Sequence, residues 1–264
     1  MAGAAKLGLS GRRTQDDLGK AVEVQSLLAL SAAFRVLAQG FAYPVAGHRA
    51  DVLAGLEAAA RSAARVGSPT LARALRRSAG PWQERTDEML AAEYLRLFRA
   101  GGPVSLHETA YGDARRIAGR AVELADIAGF YAAFGFRLTE NEPDLPDHLC
   151  PELEFYSLLL LKLAYASRSG WSPGRQVVRG AARLFLQHHL GRWAGALVPE
   201  LNAHDADAPY RELVRLLDTL VRLEIKRSKV APLPATGRLP HDPMQEDDFA
   251  CPRELAGMPP SAPA

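Results

Sequence analysis

The sequence predicts an all-α fold, a single helical bundle of eight or nine helices with loose ends. Composition carries the first part of that inference. The 264 residues include 46 Ala and 38 Leu against 3 Ile and 14 Val. Ala and Leu are strong helix formers and β-branched residues favour strands, so a large sheet is excluded. Periodicity carries the second part, because apolar residues recur at three- and four-residue spacing through most of the chain. Punctuation carries the third: Pro44 and Gly47, Gly101-Gly102-Pro103, and Gly135 fall between these segments.

Taken in order, Val24, Leu27, Leu28, Phe34, Leu37 and Ala38 define a helix over 20–42, which Pro44 and Gly47 end. Val52, Leu53, Leu56, Ala59 and Ala60 define a second over 48–66. Ser68-Pro69 starts a third, about 69–79, as N-cap and first helical residue. A fourth, from Pro81 or Thr86 to Arg99, carries Leu90, Tyr94, Leu97 and Phe98 on one stripe and stops at Gly101-Gly102-Pro103. After a loop at 101–113, Leu124, Ile127, Tyr131 and Phe134 mark a fifth helix over 114–134, with Gly135 placed for a left-handed end. An irregular link, 136–150, contains Pro143 and Pro146. The most apolar helix follows over 151–169, with Pro151 suited to its first position and Cys150 to its cap. Segments at 173–190, 191–203 and 209–229 complete the bundle. Residues 1–19 read as a disordered tail. Residues 231–264, with 8 of the 18 prolines, read as a second one. The domain is therefore 20–230, with 136–150 as a possible hinge for a domain-swapped dimer in place of a monomer.

Charge excludes little by its total, since 32 basic and 30 acidic residues leave +2. That balance gives no support to bulk nucleic-acid binding. Arg12-Arg13 imitates an export signal, but Gln15, Asp16 and Asp17 follow where an apolar stretch is required. The longest apolar run, Tyr156 to Leu161, is far below bilayer length. A soluble, cytoplasmic protein without stable membrane insertion is the expectation. Cys150 and Cys251 form neither a disulfide framework nor a zinc pattern. No nucleotide loop, nucleophile elbow or HExxH motif occurs, so no enzyme and no cofactor is expected.

Residues 140–154 stand out. Six carboxylates (Glu140, Glu142, Asp144, Asp147, Glu152 and Glu154) occur there without a Lys or Arg. Helix capping and the helix dipole account for about two of them. The others suggest a negative patch beside an apolar helix, suited to a ligand with Arg or Lys next to a hydrophobic stretch. Two other classes compete. Five arginines between Arg61 and Arg77 suggest either a helical DNA-binding regulator or a solvated helix face. His148, Cys150 and Glu152 suggest a helical metalloprotein, though they diverge on a helix and lack a fourth ligand. His188-His189 reads as a surface pair.

The segment Glu93-Tyr94-Leu95-Arg96-Leu97-Phe98, followed by Pro103 and the run to Tyr111, resembles a block of the TorD/DmsD/NarJ-type redox enzyme maturation chaperones. Glu142-Pro143 with Asp147-His148-Leu149 and Glu152-Leu153-Glu154-Phe155 resembles a second block of that family. The resemblance covers about 20–230 and is nearest the subgroup that serves type II enzymes of the DMSO reductase family. It implies a cytoplasmic chaperone for the catalytic subunit of a molybdopterin oxidoreductase. Such a protein binds its client, including a twin-arginine leader peptide, until cofactor insertion is complete. Asp147 and His148 match the pair linked to leader binding, while Tyr94, Leu97, Phe98 and Tyr111 match positions beside the groove. With these, His107, Glu142 and Glu152 make up the expected client-binding set. Carboxylates there can pair guanidinium groups, and the aromatics can seat the leader's apolar segment.

Overall fold

A computed structural model describes residues 4–112, 119–138 and 145–235, with side chains from Leu18 onward. Ten helices and no strands occur among the described residues. They are α1 (Ala4–Phe41), α2 (His48–Arg65), α3 (Pro69–Gln83), α4 (Asp87–Phe98), α5 (Arg120–Ala133), α6 (Leu149–Arg168), α7 (Ser172–His188), α8 (Leu190–Trp193), α9 (Leu197–Ala203) and α10 (Ala208–Ser228). Eight of them have 12 or more residues, as the periodicity implied.

The boundaries differ where local chemistry overrides the pattern. Helix α1 begins at Ala4 and not near 20, since no proline interrupts residues 4–19. Helix α3 runs through Pro81 to Gln83, so Pro81 sits in its last turn and does not start α4. Thr86 caps α4, its hydroxyl accepting from Met89 N at 3.3 Å. Helix α6 begins two residues before the expected 151, and His148, not Cys150, is its cap. Pro151 is then its third residue, still within the first turn, where a missing N–H leaves no helical bond unmade. The 114–134 segment is described as helix from Arg120 only. Residues 139–144 of the expected hinge and 236–264 of the expected tail lie outside the described residues.

Helices α1 and α6 form the centre. Phe34 and Tyr156 meet edge to face at 4.8 Å, and the Ser31 and Ser157 hydroxyls lie 2.9 Å apart. The stretch Leu18–Phe41 is long and apolar enough to cross a membrane by composition, yet 56% of its most apolar window is buried inside the bundle. That burial makes it a core helix. Tyr156 donates to Glu224 on α10 at 2.8 Å, and Arg227 closes on the same carboxylate at 2.6 Å. A buried charge is thus paired and hydrogen-bonded, as burial demands. Helices α2 and α3 pack on one side of this centre and α7 on the other.

Close helix contacts depend on glycine in α1. A Cβ on Gly40 would stand 2.7 Å from Leu213 Cδ1 of α10, whereas one on Gly129 of α5 would meet nothing within 4 Å. Gly40→Val should therefore destabilise by roughly 1–3 kcal/mol through overpacking. Gly129→Ala should stabilise by about 0.5–1 kcal/mol through helix propensity. Urea unfolding midpoints of the two variants check the opposite signs.

Candidate functional site

The site is built where the loop after α4 meets the start of α6. The first sequence block fixes the near side. Glu93 accepts from Arg96 at 2.6 and 2.7 Å and from the Asp207 backbone N–H at 2.8 Å. Arg96 also donates to the His204 and Asp205 carbonyls. This pair therefore holds the turn between α9 and α10 against α4. Leu97 is buried, while Tyr94 and Phe98 are half-buried in an aromatic cluster with Phe41, Tyr43 and Tyr210. The loop then turns sharply. Gly101 is left-handed, and a Cβ on Gly102 would come within 2.7 Å of the Arg99 carbonyl oxygen. Val104 N–H returns to Leu97 O at 3.0 Å.

Past that turn the loop is clamped to α6. Glu108 N–H donates to Asp147 O and Leu149 N–H to Leu106 O, each at 2.8 Å, around a His107–His148 bridge. The Asp147 side chain is fully buried. It accepts from Thr109 Oγ1 at 2.6 Å and from Thr109 N at 3.3 Å, and meets His107 Nδ1 at 3.2 Å. Burial alone would raise its pKa, but the His107 and Thr109 hydrogen bonds outweigh it and hold the carboxyl below its usual range. His148 is buried beside it, and its Nδ1 accepts from Cys150 N at 3.3 Å. Burial, with the His107 ring nearby, lowers its pKa to about 3, so it is a neutral acceptor.

A second layer lies beneath. Glu152 is fully buried and accepts from Trp193 Nε1 at 3.1 Å. Trp193 stacks on Tyr111, whose hydroxyl donates to Ser105 O at 2.7 Å. Glu108, also buried, meets His189 Nδ1 at 3.1 Å, and His189 Nε2 meets the exposed Asp126 carboxylate at 3.1 Å. Both imidazole nitrogens thus face carboxylates, an arrangement the imidazolium satisfies by donating to each. Burial lowers the His189 pKa, but Glu108 and Asp126 more than reverse this. Glu108 Oε1 and Glu152 Oε1 are both buried and have no N–H or hydroxyl donor. A proton shared between the two carboxyl groups would give each a partner, and burial raises the Glu108 pKa as well. Burial, reinforced by the Glu108 charge, pushes Glu152 well above the carboxylate range accordingly.

The expected client-binding residues therefore separate. Asp147, His148, Glu152 and Tyr111 lie inside with their polar atoms engaged, and only His107 of this group is part-exposed. Tyr94, Leu97 and Phe98 belong to the other cluster. Glu142 lies outside the described residues. Of the six acids that suggested an exposed patch, the described members Asp147 and Glu152 point inward, and Glu154 is exposed. His189 is buried and not a surface histidine, because the chain breaks between α7 and α8 at this residue. Among the described residues no group of three or more His, Cys, Asp and Glu could hold a metal ion, which removes support for a centre at His148, Cys150 and Glu152. Of the 61–77 arginines, Arg61 pairs with Glu57 and Arg77 with Glu212. Asp126 and Trp193 were not singled out in the sequence, Thr109 stood in the first block without a role and His189 was read as a surface residue, since none shares a period with its partners.

A family model described as nitrate reductase delta subunit matches residues 57–198, which contain the clamp, the acid pair and Trp193. The chain belongs to that family. This is the TorD/NarJ-type family that the two sequence blocks resemble. The selenate reductase assembly chaperone protein of Thauera selenatis is 38% identical over 148 residues, 55% of this chain and 72% of its own. The chlorate reductase assembly chaperone protein of Ideonella dechloratans is 35% identical over 151 residues, 57% and 75% of the two chains. A solved structure from Archaeoglobus fulgidus, described as a redox enzyme maturation protein, aligns with TM-score 0.34 and 19% identity, covering 59% of this chain and 93% of its own.

Two outcomes follow from the clamp and the acid pair. Asp147→Ala leaves Thr109 and His107 without their buried acceptor and should cost about 2–4 kcal/mol in urea unfolding. An unchanged midpoint would contradict the clamp. The pH dependences of His148 and Glu152 have opposite signs. His148 stays neutral in the fold to about pH 3, while the unfolded chain takes up its proton near the ordinary imidazole value of 6.5. Its contribution is thus lost as pH falls below about 6.5. Glu152 keeps its proton in the fold above the unfolded value of 4.5, so its contribution is lost as pH rises. Glu152→Gln, a neutral donor in the same place, should raise stability at pH 8 and flatten the alkaline limb. His148→Asn should flatten the acid limb. Unfolding midpoints measured from pH 4 to 9 check both.

Proposed function

We propose that the protein is a cytoplasmic assembly chaperone for the catalytic subunit of a molybdopterin oxidoreductase of the DMSO reductase family type II group. It binds that subunit, including its twin-arginine leader, and keeps it from export until the cofactor is inserted. The carrying observation is that the two relatives, 38% and 35% identical, are named for the assembly of selenate and chlorate reductases, not for a reaction. The chain acts by binding and is not itself an enzyme.

The geometry supports a division of labour within the expected site. The Asp147–Thr109 clamp and the Glu108–Glu152 pair position the loop at 105–111. Asp147 and His148 then influence the client through that loop, and His107 at its surface is the member placed for contact. Part-exposed Tyr94 and Phe98, with exposed Tyr43 beside them, offer apolar area to a helix-forming segment. Each leucine buried on such a surface contributes about 1.5–3 kcal/mol before ordering costs.

The test is co-purification of a client subunit with the full chain, followed by calorimetric titration with its leader peptide. Micromolar or tighter affinity is expected. His107→Ala should weaken it by roughly tenfold, about 1.4 kcal/mol, and, by removing one partner of the buried Asp147 carboxylate, should lower the unfolding midpoint by less than Asp147→Ala does. Asp147→Ala should lower both affinity and stability. Full affinity in both variants would move the leader away from this loop, and failure of any molybdoenzyme subunit to co-purify would overturn the chaperone reading itself.

A further inference from the structure

Helix α6 is buried on most sides but keeps one line of side chains at the surface. It turns Phe155 to α7, Ser157 to α1 and Tyr156 to α10. The strip left at the surface is Glu154, Leu158, Leu161, Tyr165 and Arg168. Its spacing alternates four and three residues, which is the spacing of a helix–helix seam. Leu161 is 48% exposed and Tyr165 60%, while Leu158 is half-buried. At 1.5 Å per residue the strip is about 21 Å long. Just past its far end Trp171 adds apolar area. Its indole lies on Gly174, where a Cβ would stand 2.2 Å from the ring, and it is still 58% exposed. Large apolar side chains gathered at a surface in this way mark a site of association.

Charge decides what covers the strip. Between Glu154 and Glu200 the sequence holds six Lys and Arg and no acid. Arg175 and Arg179 reach Glu23 of α1, and Arg192 reaches Glu123 of α5. Arg168 has no ion pair among the described residues. The acid on its own strip, Glu154, is 14 residues away, about 21 Å along the helix and out of reach. A second copy of α6 laid antiparallel about Leu161 removes that separation, because Glu154 and Arg168 are each seven residues from Leu161. Glu154 of each chain then faces Arg168 of the other, Leu158 lies beside Tyr165, and Leu161 meets its own copy. An anionic lipid surface would suit Arg168 and Trp171 but would be repelled by Glu154 in the same line.

We propose that this strip is a two-fold interface between copies of the chain, with α6 packed antiparallel on α6 of the partner subunit, Leu161 at the centre and a Glu154–Arg168 pair at each end. The contact is isologous, so every interaction in it occurs twice. No element is exchanged, which separates it from a domain swap through 136–150. Helix α6 is already ordered by the bundle, so association costs no helix formation. Two heptads of contact with two exposed ion pairs make a small interface, for which a dissociation constant of roughly 10 μM is expected. Antiparallel packing also sets the partner subunit's Trp171 beside the start of α6, the end at which the loop at 105–111 is clamped. The dimer thereby adds an aromatic ring near the candidate site.

Sedimentation equilibrium of the full chain tests it. The apparent mass should climb from 28.5 kDa toward twice that value as concentration passes roughly 10 μM. Glu154→Arg and Arg168→Glu, each alone, should weaken association roughly tenfold or more, because each sets like charges together at both ends. Mixing the two variants should restore native affinity, since each then supplies the charge that the other needs. Both changes in one chain should restore it too. Leu161→Glu should leave a monomer, with helicity unchanged because the side chain is half-exposed. A native chain that stays monomeric to roughly 200 μM would overturn the proposal. So would a dimer that ignores all three substitutions, which places the contact elsewhere, or single variants that do not rescue each other. Binding of a monomeric chain to phosphatidylserine vesicles, lost in Arg168→Glu, would give the strip to a lipid surface and overturn it as well.

Discussion

The buried carboxylate of Asp147 is the constraint around which the loop and the start of α6 are arranged. A desolvated charge must be neutralised by hydrogen bonds, and the ones available come from His107 and Thr109 on one loop. Satisfying Asp147 therefore dictates where residues 107–109 lie. Two backbone bonds and the His107–His148 bridge follow from the same register. Once the loop is there, Glu108 must enter the interior, and the only low-cost way to bury it is beside a cation and a shared proton. His189 and Glu152 supply these. The signature acid thus fixes a surface loop by an interior requirement.

This arrangement ties four distant stretches together. Glu108 comes from the loop, Glu152 from α6, His189 from the α7–α8 break and Asp126 from α5. Burial pushes both Glu108 and Glu152 above the usual carboxylate range, while Asp126 at the other end of the network reaches solvent. Charge at the exposed end and protons at the buried end are coupled through His189, so the pair Glu108–Glu152 titrates as a unit and not as two residues. The Tyr111–Trp193 stack covers the inner end and keeps water from it.

Much of the fold was legible because helices are governed by local rules. Periodicity located the eight long helices, and Thr86 and Gly135 fell where a cap and a left-handed end were required. The boundaries failed where a local rule has a tolerated exception. Pro151 falls in a first turn, where its missing N–H has no helical partner, and Pro81 falls in a last turn, where one helical bond is lost with only two residues left to follow, so neither ends a helix early. In the site, the sequence located Asp147, His148 and Glu152 as unusual but assigned them to the surface, because clustered acids are ordinarily solvated. What reverses that is tertiary: Thr109 is 38 residues from Asp147, Trp193 is 41 from Glu152, and His189 is 81 from Glu108 and 63 from Asp126, and no period links them.

The inward placement of the signature changes how substitutions in it are to be understood. A residue whose polar atoms are already engaged gains little from meeting a ligand's guanidinium, because the existing bonds would have to be broken first. Loss of binding on removing Asp147 then measures the position of the loop, just as removing Glu152 measures the state of the acid pair. His107 differs, since it bonds to Asp147 through Nδ1 while its ring is part-exposed and packs against His148 at 5.0 Å. It is the point where the interior network becomes surface. A ligand touching His107 therefore acts on Asp147 directly and, through the loop, on Glu108. On the proposed reading, with the client meeting His107, recognition at the surface and order in the interior become parts of one coupled arrangement, in which binding would tighten the loop and a tightened loop would favour binding.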